Sequence, residues 1–172
     1  MIPGSPATAT MRRLLTDLGE SGRTGALHVG GTPGGVFYLV AGRITYAESP
    51  ACPGIGERLV SSGRLNPQTW RDAYAEGRDT CQVARVLLRD GWLGQHELAL
   101  RVVAVIADAT HVLVRQSGAP AWFAPDERHW LGELPRVEID ARLIVPPRQR
   151  RRPRRFATTT GPQPQRPPPT GP

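Results

Sequence analysis

The stretch from Ser21 to Ala47, SGRTGALHVGGTPGGVFYLVAGRITYA, constrains this chain most. Its apolar runs are short and each is bounded by Gly or Pro. Runs of this kind, rich in Val, Phe, Tyr and Ile, are the signature of hairpin strands. Ala26–Val29, Val36–Val40 and Arg43–Ala47 are therefore expected as three strands of a β-meander. The turn-rich Gly30–Gly35 joins the first two, and Ala41-Gly42 joins the last two tightly, with Gly42 as the turn glycine. In the third strand, alternation places Ile44 and Tyr46 on one face and Thr45 on the other.

The flanking segments read as helical and need a surface to pack on. Met11, Leu14, Leu15 and Leu18 recur at helical spacing, and Gly19 is a stop. Residues 1–9 are dominated by Pro, Ser, Thr and Ala and are expected to be disordered, with Met11 an alternative start. Residues 55–115 contain a repeat. Ile55-Gly56-Glu57-Arg58-Leu59-Val60-Ser61-Ser62-Gly63-Arg64-Leu65 is followed, 28 residues on (83 − 55), by Val83-Ala84-Arg85-Val86-Leu87-Leu88-Arg89-Asp90-Gly91-Trp92-Leu93. Each copy predicts a short amphipathic helix ended by a left-handed glycine, Gly63 or Gly91, and a leucine that folds back over the helix end. Asn66-Pro67 then opens a second helix with a cap residue before a first-turn proline. The counterpart over 95–115 is longer, and its apolar stripe Leu98, Val102, Val105, Ile106, Ala109 and Leu113 marks it as the most buried. Ala121–Ala124 and Val137–Ile144 are expected as closing strands, with a polar loop carrying Trp130 between them. The fold class is thus α+β: a small, mainly antiparallel meander against a helical subdomain built on the repeat.

Charge separates this body from a tail. The chain has 172 residues and net charge +7, and all 22 of its basic residues are Arg. Seven of these lie in 148–172, which has no acid, so residues 1–147 carry 15 Arg against 15 acids. The expected organisation is 1–9 disordered, 10–147 a domain (helix plus meander over 11–54, repeat over 55–115, closing strands over 119–145), and 148–172 a disordered, basic, Pro-rich tail. Arg148, Arg150, Arg151, Arg152, Arg154 and Arg155 are the dense positive feature, a candidate contact for nucleic-acid phosphates or an acidic protein. Nucleic-acid binding is expected there alone, and without sequence specificity.

Several chemistries are excluded. Without Lys there is no phosphate-binding loop of the GK[ST] type and no Schiff-base lysine. His96-Glu97 opens like a zinc-peptidase helix, but the next ligand position holds Leu100. Cys52 and Cys81 form no CxxC pair and fit a reducing, cytoplasmic setting. No nucleophile elbow supports a Ser/His/Asp set, and His28 and His111 read as partly buried, satisfied side chains. No catalytic residue, metal or cofactor is expected, and the most apolar stretch is broken by Arg101, Asp108 and His111, so no membrane span is either. Trp70 and Trp92 are expected in the core. Trp122 and Trp130, in the less regular end region, are candidates for a partner surface.

Gly25-Ala26-Leu27-His28-Val29, Gly35-Val36-Phe37-Tyr38-Leu39 and Gly42-Arg43-Ile44-Thr45-Tyr46-Ala47, followed by the paired Gly–Leu helices and the closing AWFAPDERHWLG, resemble the PatA-like N-terminal domain family over about residues 11–145. That resemblance implies a bacterial regulatory or signalling module acting by protein–protein contact, with no catalytic residues to transfer. The repeat is also similar to the N-terminal domains of type II secretion and pilus ATPases. Some of those bind cyclic di-GMP through an Arg-Leu-Gly-led version of it. Here Gly54-Ile55-Gly56 and Gln82-Val83-Ala84 stand at those positions, without the leading Arg. The functional expectation is a non-enzymatic regulatory module with a protein partner. One alternative is a DNA-binding transcriptional regulator that uses the repeat and the Arg tail, although the recognition candidate Trp70–Gly77 sets Asp72 and Glu76 beside Arg71. A second is a cyclic dinucleotide-binding module.

Overall fold

A computed structural model of the chain describes residues 6–116, 118–134, 137 and 139–140. It is mixed α+β. The elements in order are α1 (Pro6–Glu20), β1 (Gly25–Val29), β2 (Gly35–Val40), β3 (Arg43–Glu48), α2 (Ile55–Ser61), α3 (Pro67–Gly77), a 3₁₀ turn (Arg78–Thr80), α4 (Val83–Arg89), α5 (Gln95–Leu113), β4 (Ala121–Pro125) and β5 (Ile139–Asp140). The three expected strands form the centre of an antiparallel sheet of order β4-β1-β2-β3-β5. The AWFA segment adds to the free edge of β1, with His28 opposite Trp122 and Leu27 opposite Phe123. β5 adds to β3.

One boundary differs from expectation. α1 begins at Pro6, so Pro6–Ala9 of the segment expected to be disordered are helical. Proline suits a first helical turn because its missing N–H has no partner to lose there. The Arg-rich segment 148–172 lies outside the described residues, as do most of the residues expected in the last strand.

A second difference reverses part of the sheet. The turn at Ala41-Gly42 has φ of 48° and 78° at its two residues, the geometry of a two-residue hairpin that follows strand twist. Near it, Val40 pairs with Arg43 and Leu39 with Ile44, but the next pair is Tyr38 with Tyr46. Thr45 is therefore the extra residue of a β-bulge, and its hydroxyl donates to the Tyr38 carbonyl at 3.4 Å. Ile44 and Tyr46 consequently lie on opposite faces, correcting the simple alternation. Ile44 joins Phe37, Leu39, Leu27 and Ala47 on the face covered by α5. A Cβ at Gly35, on that face, would stand 2.8 Å from Leu113 Cδ2. These side chains are fully buried, and Ile44, Phe37, Leu39 and Leu27 each stabilise the fold by about 1.5–3 kcal/mol through burial. Tyr46 and Tyr38 point to the other face.

The repeat folds as its spacing requires. Asn66 Oδ1 accepts the Gln68 N–H at 2.8 Å and caps α3. Gly63 and Gly91 follow α2 and α4 at φ 72° and 70°. Behind them the Leu65 N–H donates to the Leu59 carbonyl and the Trp92 N–H to that of Leu87, which satisfies carbonyls left free at the helix ends. α5 buries Leu98, Val102, Val105, Ile106, Ala109 and Leu113, the stripe expected from its sequence. No helix among the described residues is long and apolar enough to cross a membrane.

Candidate binding cleft on the second face of the sheet

The face opposite α5 carries two rows of side chains. Cross-strand register aligns Trp122, His28, Val36 and Glu48 in one row, and Ala124, Ala26, Tyr38 and Tyr46 in the next. The second row is roofed. Two alanines leave room for the loop after β4, and that loop lays His129 flat on Tyr46 with ring centroids 3.8 Å apart. Tyr38 meets the same imidazole edge-on at 4.9 Å. Trp130 continues the stack onto Tyr74 at 5.0 Å and Trp70 at 5.9 Å, both on α3. The loop backbone then closes the N-terminus of α4: the Ala84 N–H donates to the Leu131 carbonyl at 2.9 Å and that of Val83 to the Trp130 carbonyl at 3.4 Å.

The first row is open and floors a cleft of about 420 Å³. Its wall is the loop after β3, carrying Ser49 and Cys52. Ser49 fixes that wall, because its buried hydroxyl donates to the Gly34 carbonyl at 2.7 Å. Trp122 stacks on His28 at 5.1 Å with 4° between the planes, yet 55% of its surface remains exposed. His28 Nε2 lies 2.9 Å from Glu127 Oε2, so a second carboxylate sits beside the aromatic pair.

The electrostatics of the two rows are joined through Glu48. Its Oε1 accepts from the Tyr38 hydroxyl at 3.1 Å, and its Oε2 is 3.4 Å from His129 Nε2. The neighbouring His129 ring holds the Glu48 carboxyl below its ordinary range, outweighing desolvation, with Tyr38 adding to the effect. Burial pushes the His129 imidazole down, partly offset by Glu48. The geometry agrees. His129 Nδ1 accepts the Leu131 N–H at 3.2 Å, so the neutral ring carries its proton on Nε2, facing Glu48. That contact is electrostatic rather than a formed hydrogen bond, since Nε2 has no hydrogen-bond partner. Burial and the Glu48 carboxylate push the Tyr38 hydroxyl up. At neutral pH the cleft therefore presents a charged carboxylate and an exposed indole, while the neutral His129 imidazole stays buried under the neighbouring row's roof, behind Glu48. No arginine lines the cleft among the described residues.

The structure distributes the expected site residues unevenly. Trp122 is exposed in the cleft. Trp130 is partly buried, packed among Tyr46, Tyr74 and Trp70. Trp92, expected in the core, is 46% exposed. It follows the turn glycine, and Leu93 is the residue that folds back into the core. His111 is exposed rather than partly buried. His28 is half-buried and paired with Glu127. Gly42, Gly63 and Gly91 all sit in turns at positive φ, whereas Arg148, Arg150, Arg151, Arg152, Arg154 and Arg155 lie outside the described residues. Glu48 and His129 are the residues that sequence reasoning missed. Glu48 ends β3 and His129 lies in the closing AWFAPDERHWLG segment, and the fold of the loop after β4 over the sheet brings them together.

The repeat starts, where a dinucleotide was an alternative expectation, are filled by the protein itself. The Trp70 indole covers Gly56, and a Cβ there would lie 2.8 Å from Nε1 and closer still to the six-membered ring. The corresponding N–H of Ala84 is bonded to Leu131. Among the described residues, no three His, Cys, Asp or Glu side chains converge as a metal ion requires. No protein-family model, curated protein or solved structure matches this chain.

Proposed function

We propose that this protein is a non-enzymatic regulatory module that works by protein–protein contact, with the Trp122 cleft as the contact surface. The observation that carries the reading is the exposed Trp122. It is a large aromatic side chain held rigid by stacking on His28, at the mouth of a built concavity. Such anchors supply much of the energy of protein interfaces. The resemblance of residues 11–145 to the PatA-like N-terminal domains points the same way.

The charge pattern of the repeat weighs against the DNA-binding alternative for the folded body. Arg64 is paired with Glu97, Arg89 with Glu76 and Asp90, and Arg58 with Asp108. A phosphate-binding helix face needs free positive charge. The occupied repeat starts weigh likewise against a dinucleotide.

A photoreactive residue at position 50, on the cleft wall, tests the reading in cells. It should give one discrete protein adduct that W122A abolishes, while the same probe at position 96 on α5 gives none. Equal adducts from both positions, or an adduct at position 50 indifferent to W122A, would remove the cleft from the function.

A further inference from the structure

The cleft has a chemistry that selects its occupant. An exposed indole face with a carboxylate in the same row, and a second carboxylate one side chain away, suits a planar cation. An arginine guanidinium stacks on tryptophan and pairs with carboxylates at once. The partners of the body's arginines sharpen this. Arg58, Arg64, Arg78, Arg89, Arg101 and Arg128 are already paired with Asp108, Glu97, Asp79, Glu76, Glu97 and Glu133. Glu48 and Glu127 are instead held by Tyr38 and the two histidines. Positive charge outside the described residues is concentrated in Arg148–Arg155, in a tail with no acid of its own.

We infer that the cleft is the docking site of this chain's own Arg148–Arg155 segment, with one guanidinium stacked on Trp122 beside Glu127 and another, farther along the row, facing Glu48. This rests on the cleft being a binding surface and adds what covers it. The reach is sufficient. Asp140 pairs with Arg43 at the far end of β3 and Trp122 lies four strands away, a separation of about 26 Å from strand rise and spacing. Eight extended residues from Asp140 to Arg148 span about 26–29 Å, and the fifteen to Arg155 about 50 Å. The six arginines of the segment can therefore sample the cleft without unfolding any described element. A partner entering the cleft must then displace the tail, so the tail sets the threshold for binding.

The test uses the full chain, labelled with nitrogen-15, read at the Trp122 indole N–H. In one variant the six arginines at 148, 150, 151, 152, 154 and 155 are replaced by Gln. The Trp122 signal should differ between wild type and variant and be unchanged by dilution. Adding the peptide PRQRRRPRRF to the variant should move the signal back toward the wild-type position. E48Q or E127Q in the six-fold variant should weaken peptide binding by about tenfold, the loss of one charge-assisted contact, while amide signals outside the cleft stay in place. Superimposable Trp122 signals in wild type and variant would overturn the inference. So would peptide binding indifferent to both Glu substitutions, or a wild-type shift that vanishes on dilution. If the photo-adduct at position 50 forms while Trp122 ignores the tail, the contact surface stands and its self-occupancy falls.

Discussion

Alanine at Gly56 should destabilise this protein, against the usual effect of that substitution in a helix. Gly56 lies in the first turn of α2, where replacing Gly by Ala ordinarily gains up to about 1 kcal/mol. Here the new Cβ would overlap the Trp70 indole. The ring is rigid, and Tyr74 at 6.0 Å and Trp130 at 5.9 Å hem it in. Displacing it forfeits two aromatic pairs, at about 0.5–1.5 kcal/mol each, and part of the ring's burial, about 1–2 kcal/mol. The net expectation after the helix gain is a loss of about 1–4 kcal/mol. Urea unfolding followed by tryptophan fluorescence measures it as a fall in midpoint at constant slope. The control is the same change in a W70A background, where no ring stands in the way and Ala should become neutral to stabilising. The coupling between the two sites is then the quantity measured. A G56A chain more stable than the original, or the same loss with and without Trp70, would refute the packing argument. In the second copy Ala84 already occupies the equivalent position, so A84G should cost about 1 kcal/mol by helix propensity alone.

Stability should fall with acidity through His129. Its folded pKa is depressed by burial, so unfolded chains take up a proton that folded ones refuse. The contribution is fully present above the ordinary imidazole value near 6.5. It is lost as pH falls from there through the depressed folded value, and Glu48, also depressed, adds a loss of the same sign at lower pH. H129N keeps an acceptor for the Leu131 N–H and should flatten the His129 part of a stability–pH curve; an unchanged slope would place the titrating group elsewhere. G63A and G91A should each cost about 1 kcal/mol in the same unfolding assay, the left-handed penalty for a side chain. Nothing lies within 4 Å of either new Cβ, so the backbone alone is tested, and two neutral results would contradict the turn geometry.

Local chemistry by itself determined the elements. Turn glycines at 42, 63 and 91, the Asn66-Pro67 start and the period of α5 each act within a few residues, so strands, caps and the buried helical stripe were legible in the sequence. The arrangement of the candidate site depended on contacts that local pattern does not carry. A bulge-free hairpin closing at Ala41-Gly42 would put Tyr38 opposite Thr45 and turn Tyr46 and Glu48 toward α5. The inserted Thr45 instead keeps Ile44 on the apolar face and delivers Tyr46 and Glu48 to the other. His129 is ordinary in sequence and becomes buried only because Ala26 and Ala124, on two different strands, leave room for its loop over Tyr46. Trp122 and Trp130 are eight residues apart in similar surroundings, but one is exposed in the cleft and the other is locked between the loop and α3. Burial is a property of the neighbours a side chain meets across the sheet, and those neighbours are set by register, which a single inserted residue reverses.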